Sequence, residues 1–193
     1  MRLLTATASA MLALSLTGCG DGDDDTEADS SDSPSSSVGS SNVPSTDGDA
    51  RPCDLVSAAD VETAYGVTVG EGEPGLGGHN ENDVKFSSSD CDWQAEDHLE
   101  VELALSRAAD FEGGLTCIPV RYLGQDGAPV DVAGASSATW LASEDPDEVE
   151  AQLRACTDSA VLTFSVEAKN GSDVAQLRTS TITVAEKALA GLG

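Results

Sequence analysis

From residue 53 onward the sequence predicts an α+β domain: a mainly antiparallel sheet, a short helix at its N-terminal end and a C-terminal helix packed on it. Three patterns carry this. Residues 99–105, Leu-Glu-Val-Glu-Leu-Ala-Leu, alternate at period two, as a strand with one buried face does. Ser57-Ala58-Ala59-Asp60, followed by Val61, Ala64, Tyr65 and Gly66, has the cap, spacing and glycine stop of a short helix. The last stretch sets Leu177, Ile182, Ala185, Leu189 and Leu192 along one face of a helix. Strands interrupted by few helices favour α+β over an alternating architecture.

After the capped helix, residues 70–83 are rich in glycine and acid and read as a loop. Residues 91–94 and 99–105 read as strands, with Leu99, Val101, Leu103 and Leu105 pointing inward. A short helix is expected around 107–111. Residues 118–123 lack clean alternation, and Pro119 argues against a central strand there. Residues 138–142 and 161–167 read as strands. Residues 148–155 fit two states: a helix started by Pro146, Asp147 and Glu148, or a strand paired with 161–167. The terminal helix is weakened at its start by β-branched residues.

The first eighteen residues, MRLLTATASAMLALSLTG, carry one charge, Arg2, ahead of an apolar stretch. That stretch is too short to cross a ~30 Å hydrocarbon core, which takes about 20 helical residues, and has the length of a signal-peptide core. Leu16-Thr17-Gly18-Cys19 then resembles the lipobox of bacterial lipoproteins. Small residues before the cut suit a narrow protease cleft, and a thiol can be thioether-linked to a diacylglyceryl group. Lipidation is therefore expected at Cys19, with two or more acyl chains holding the protein on a membrane.

Residues 20–52 are Asp, Ser, Gly and Pro with almost no apolar content, the composition of a disordered tether. Its ends would lie about 30 Å apart as a flexible coil. The organisation expected is a signal peptide over 1–18, the lipidated cysteine and acidic tether over 19–52, and an extracytoplasmic domain over 53–193. The last of these is long enough to bury a real core.

The chain carries 35 acids and 9 bases, a formal charge of -26. Nine acids and no base lie between Gly20 and Ala50; from Arg51 onward 26 acids face 8 bases. Such a surface repels polyphosphates, so nucleic acid is excluded as a partner. Solubility or adaptation to high salt would each account for the excess, and scarce lysine suits the second.

With Cys19 set aside, Cys53, Cys91, Cys117 and Cys156 remain, an even set that in an exported protein reads as disulfides. Of the three connectivities, the pairing of sequence neighbours, Cys53–Cys91 with Cys117–Cys156, is the expectation. The rival is a thiolate metal site. No Cys-x-x-Cys is present, and neither His79 nor His98 stands at ligand spacing from a cysteine. No metal or cofactor site is expected.

Arg51-Pro52-Cys53-Asp54-Leu55-Val56, a helix ending in glycine, a glycine-rich stretch and Cys91-Asp92-Trp93 resemble actinobacterial surface lipoproteins that carry a domain of unknown function. These read Pro-Cys-x-Leu at the domain start and Cys-x-Trp some way on. The resemblance covers most of residues 1–105. Beyond it, residues 132–138 echo the family's Gly-x-Gly-Asp-x-Ala turn only loosely, lacking its second glycine and its aspartate. It implies a Cys53–Cys91 disulfide and a cell-surface location, and no activity.

Motifs that imitate chemistry have plainer readings. Gly70-Glu71-Gly72-Glu73-Pro74-Gly75 matches G-x-G-x-x-G, but its glutamates would face the phosphates and Pro74 removes a donor, so it is expected on the surface. Asp21-Gly22-Asp23-Asp24-Asp25 imitates a calcium loop, with Thr26 where the turn glycine belongs and Asp32 where the bidentate glutamate belongs. Residues 144–150 concentrate carboxylates and are expected as a solvated segment. Trp93, beside a cysteine, is expected to pack on a disulfide, and Trp140 or Phe164 to line any ligand pocket. Neither histidine is expected beside a nucleophile. Together these favour a non-enzymatic envelope domain that binds a small-molecule or protein ligand. The alternatives are an envelope enzyme using Asp90, Asp92 or the acids of 144–150, and a passive scaffold.

Overall fold

The computed structural model describes residues 50–96, 98–144, 148–169 and 171–193. The signal segment, Cys19, the calcium-loop mimic and residues 145–147 of the acidic stretch lie outside them. Helices α1 (Pro52–Leu55) and α2 (Ala58–Tyr65) lead into strands β1 (Glu73–Glu81), β2 (Val84–Ala95) and β3 (Leu99–Arg107). A long connection carries the short strands β4 (Arg121–Tyr122), β5 (Gln125–Asp126) and β6 (Ala128–Pro129). Strands β7 (Ser137–Glu144), β8 (Glu148–Cys156) and β9 (Ala160–Lys169) follow, then helix α3 (Val174–Leu192). The main sheet runs β1-β2-β3-β9-β8-β7-β6, antiparallel throughout, and β4-β5 form a separate ribbon. This is an α+β fold in which two meanders, β1-β2-β3 and β7-β8-β9, join at a β3–β9 seam.

At that seam Leu99 faces Ala168, Val101 faces Val166, Leu103 faces Phe164 and Leu105 faces Leu162. All eight are buried under the helices, so the alternation of β3 does what its sequence implies. Helix α2 starts with a reciprocal cap: Asp60 N–H donates to Ser57 Oγ at 3.3 Å and Ser57 N–H to Asp60 Oδ2 at 3.0 Å. It stops at Gly66 in the left-handed conformation, φ 74°. Hydroxyls dock α3 on α2. Ser180 Oγ donates to Ala64 O at 2.5 Å, and Thr181 Oγ1 lies 2.9 Å from Tyr65 Oη. Burial pushes the Tyr65 phenol well above its usual pKa. The weak helix formers of α3 therefore serve packing.

Two disulfides are formed, Cys53–Cys91 and Cys117–Cys156, with Cα atoms 5.2 and 6.0 Å apart. The first ties α1 to the middle of β2, where Trp93 is 1% exposed. The second ties the long connection to the end of β8.

The fold departs from the sequence reading at several points. Residues 70–83 are not a loop: β1 pairs with β2 from Glu73↔Asp92 to Glu81↔Val84. The turn is Asn82-Asp83, at φ 49° and 65°, the two positive angles that a tight type I′ hairpin needs. Glycine enters here for closeness, because a Cβ on Gly72 would stand 2.6 Å from Cys91 Sγ and 2.7 Å from Trp93 Nε1. The G-x-G-x-x-G run is thus a strand entry packed on a disulfide. The short helix at 107–111 is a single 3-10 turn, Ala108–Asp110. Residues 148–155 are strand, resolved by their pairing with β9. The fold also takes in Ala50 and Pro52, ahead of the expected start at Cys53: Pro52 opens α1, and Ala50 O accepts from Arg107 Nη2.

Only Ser89–Ala95 of β2 pairs with β3, so the β1-β2 hairpin continues past the sheet. Its tip arches over the face opposite the helices. Arg154 on β8 donates from both Nη atoms to Glu81 on β1, at 2.7 and 3.0 Å. In the flat sheet these strands would be four spacings apart, about 19 Å, beyond the reach of two side chains. A second core of Phe86, Phe111, Ile118, Val161 and Cys156 fills the space under the arch.

Candidate functional site

One face of the main sheet is covered by α1, α2 and α3; the other is covered only at the arched end. On the remainder the outward-pointing residues of five strands line up in register. Glu73, Asp92 and Glu102 form a row across β1, β2 and β3. Glu100, Glu167 and Glu150 form a second row across β3, β9 and β8. Asp90 stands beside the first row and Glu148 beside the second, with Lys169 opposite Glu148 at 3.8 Å. Period-two alternation places each of these acids on the same face. Like charges directly opposite one another destabilise a sheet, and here they are repeated.

The electrostatics follow. Partial burial, then the charges of Asp90, Glu100 and Glu73, hold the Asp92 carboxyl above the usual aspartate range. Burial, then Asp92, Asp90 and Glu100, do the same to Glu102. Burial, then Glu100, Glu148 and Glu150, raise Glu167, against a smaller pull from Lys169. Asp90 is 8% exposed, and its Oδ1 is buried without a hydrogen-bond partner. Its carboxylate shares the open face with Asp92: a Cβ on Gly75 would stand 3.5 Å from Asp90 Cβ and 3.7 Å from Asp92 Oδ2.

Two concavities adjoin the second row. A groove of about 90 Å³ is walled by Tyr122, Leu141, Glu150 and Glu167. A wider cleft of about 890 Å³, at the β2–β3 turn, is lined in part by Gln94, His98, Glu100, Glu167 and Lys169. Neither has Trp140 or Phe164 in its wall. Those residues, expected to line a pocket, are core at 6% and 0% exposure. Trp93 packs beside the Cys53–Cys91 bridge, as expected.

His79 corrects the sequence reading. Once β1 is a strand, the imidazole stacks on Phe86 with centroids 4.7 Å apart, and Nε2 lies 2.8 Å from Ser88 Oγ. A Cβ on Gly77 would meet Ser88 Oγ at 2.5 Å, His79 Nε2 at 2.8 Å and Asp90 Oδ2 at 3.0 Å. The histidine is therefore beside a hydroxyl, contrary to expectation. Ser88 is 4% exposed, though, and out of reach of a substrate on this surface. His98 sits in the β2–β3 turn, its carbonyl accepting from Lys169 N–H at 3.1 Å.

Among the described residues, no group of three or more His, Cys, Asp or Glu gathers closely enough to hold a metal ion. In the same residues no helix is long and apolar enough to cross a membrane. The disulfides fit an oxidising, extracytoplasmic setting.

Fold and face together define a class: a disulfide-bonded α+β domain with helices on one side of its sheet and carboxylates in excess of cations on the other. Comparison with family models, with curated proteins and with solved structures gave no match to this chain.

Proposed function

We propose that this protein is a lipoprotein of the cell envelope, anchored through lipid on Cys19 to the outer face of the cell membrane, whose domain binds a partner with the open face of its sheet. The observation that carries the reading is the pair of carboxylate rows. A protein gains no stability by setting Asp92 against Glu102 and Glu100 against Glu167, so such a surface is retained for what it meets. The Leu16-Thr17-Gly18-Cys19 sequence supports the anchor, the two disulfides support the compartment, and the resemblance to actinobacterial surface lipoproteins supports both.

Two experiments test it. Cys19→Ser is expected to release the protein from the membrane fraction or leave it uncleaved; unchanged size and attachment refute the anchor. A photo-crosslinking amino acid in place of Ser165, between the rows, is expected to form an adduct in intact cells. If none forms there, while the protein is present and folded, the binding reading is wrong.

A second reading has one observation in its favour. Asp92 and Glu102 stand directly opposite, each raised by burial and like charge, and a facing carboxyl pair in which one member holds its proton is the arrangement of enzymes that cleave glycosidic bonds. It requires turnover of a cell-wall glycan that Asp92→Asn abolishes.

A further inference from the structure

The geometry points to the chemistry of that partner: we propose that the open face docks a lysine- and arginine-rich segment of another protein, its cations seated over the two carboxylate rows. This rests on the reading of the face as a binding surface and says what it takes.

Three features select this occupant. The first is sign. Glu73, Asp90, Asp92, Glu100, Glu102, Glu148, Glu150 and Glu167 share the face with Lys169, while Arg154 is already held by Glu81. The second is an orphan. Asp90 is more than nine-tenths buried, and its Oδ1 has no hydrogen-bond partner. Leaving a buried carboxylate oxygen without a donor is costly, and a cation seated on the face beside it would offset part of that cost by its charge without having to reach the oxygen.

The third is spacing. A divalent cation needs about six to eight oxygens converging at roughly 2.3–2.6 Å. Here the carboxylates stand in rows set by an interstrand distance of about 4.8 Å. Separate ammonium or guanidinium groups match such rows; a single ion does not. The groove between Tyr122 and Leu141, with Glu150 and Glu167 at its rim, adds an apolar wall for the methylene stem of lysine or arginine and an aromatic face near its charge. Tyr122 is 45% exposed and so available for this contact. A polypeptide spans both rows at once and brings apolar stems as well as charge.

The test uses the full exported chain and a fluorescein-labelled octalysine peptide, followed by fluorescence anisotropy at 0.15 M salt. Glu100→Gln/Glu150→Gln/Glu167→Gln removes three charges from the face. Asp23→Asn/Asp24→Asn/Asp25→Asn removes three from the N-terminal acidic stretch and serves as the control. The face variant is expected to weaken binding at least tenfold, and the control less than twofold. Near-UV circular dichroism establishes that the face variant is folded; should it not be, the Glu150→Gln and Glu167→Gln single variants are read instead, each expected to lose at least twofold.

Equal losses in the two triple variants overturn the proposal, because binding would then be diffuse attraction to total charge. So does an absence of binding. So does spermine or calcium binding tighter than the peptide with the same dependence on the face. Octalysine added before irradiation should also suppress formation of the Ser165 adduct. An adduct that forms in cells but ignores octalysine overturns the basic-segment inference alone and leaves the binding reading standing.

Discussion

Glu102→Gln should make this protein more stable at neutral pH, the reverse of what most substitutions in a sheet do. Glu102 faces Asp92 and has Asp90 and Glu100 as its other charged neighbours. Two unit charges about 7 Å apart repel by about 0.6 kcal/mol in water. At 0.15 M ionic strength, with a Debye length of about 8 Å, less than half of that survives. Three neighbours then sum to about 0.7 kcal/mol, and partial burial of Glu102 works to raise the figure. The neutral isostere removes this repulsion.

The sign with pH is fixed. The folded-state pKa of Glu102 is raised, so protonation contributes stability that is fully present below the unfolded pKa and lost as pH rises through the folded one. The gain from the substitution should therefore be near zero at pH 4 and complete at pH 7. Urea unfolding at the two pH values measures it, and thermal unfolding should show about 2–3 °C at pH 7. At 1 M salt, where the Debye length is about 3 Å, the gain should shrink. A variant no more stable than the parent at pH 7, or equally stabilised at pH 4 and pH 7, refutes the account of this face as a set of mutually repelling carboxylates.

Other consequences follow from the covalent and ionic ties. Cys117→Ser/Cys156→Ser opens a loop of sequence separation 39 and should lower unfolding free energy by about 4 kcal/mol on the chain-entropy account, read by urea titration without reductant. A loss under 1 kcal/mol would mean the connection is held by its apolar contacts alone. Glu81→Ala leaves Arg154, whose side chain is 5% exposed, without its carboxylate. Breaking a buried pair costs about 3–5 kcal/mol; Glu81 is 35% exposed, so about 1–3 kcal/mol is expected, with faster amide exchange in the arched hairpin. Unchanged exchange there would show that the arch does not depend on this pair.

The fold was legible where one physical signal dominated. Strand β3 has strict alternation, α2 has a cap and a glycine stop, and the cysteines paired as sequence neighbours. Strand β1 was hidden because its sequence, Glu-Pro-Gly-Leu-Gly-Gly-His-Asn-Glu, has no apolar alternation: its one large aliphatic residue, Leu76, is 88% exposed. The signal that would have revealed it is Asn82-Asp83, residues that tolerate positive φ, followed by Val84 and Phe86 pointing to one side. Strand β8 was ambiguous because Val149, Ala151, Leu153 and Ala155 fall at period two in a stretch that also begins with good helix-starting residues. Of the open face, the alternation in β3 already put Glu100 and Glu102 on one side. That they oppose Glu167 and Asp92 depends on the β3–β9 and β2–β3 registers, the first of which sets Glu100 against a residue 67 positions away and leaves no local trace.

A net charge of -26 is a single number that conceals two physical populations. Away from the open face, several acids have partners: Asp60 with Ser57 and Lys187, Asp126 with Arg121, Glu112 with Lys85. Asp60 is accordingly held below the ordinary aspartate range, its Ser57 hydrogen bonds contributing most. On the open face Lys169 answers Glu148, while burial and repulsion among the other acids hold Asp92, Glu102 and Glu167 above theirs. Acidity selected only for solubility or for high salt has no reason to place carboxylates opposite each other on adjacent strands, where each repels its neighbour and is partly withdrawn from water. Distributing the same charges over the helices would hydrate them better and strain the sheet less. Setting these carboxylates face to face on one side of the sheet runs against that gradient, and the binding surface proposed above would account for it.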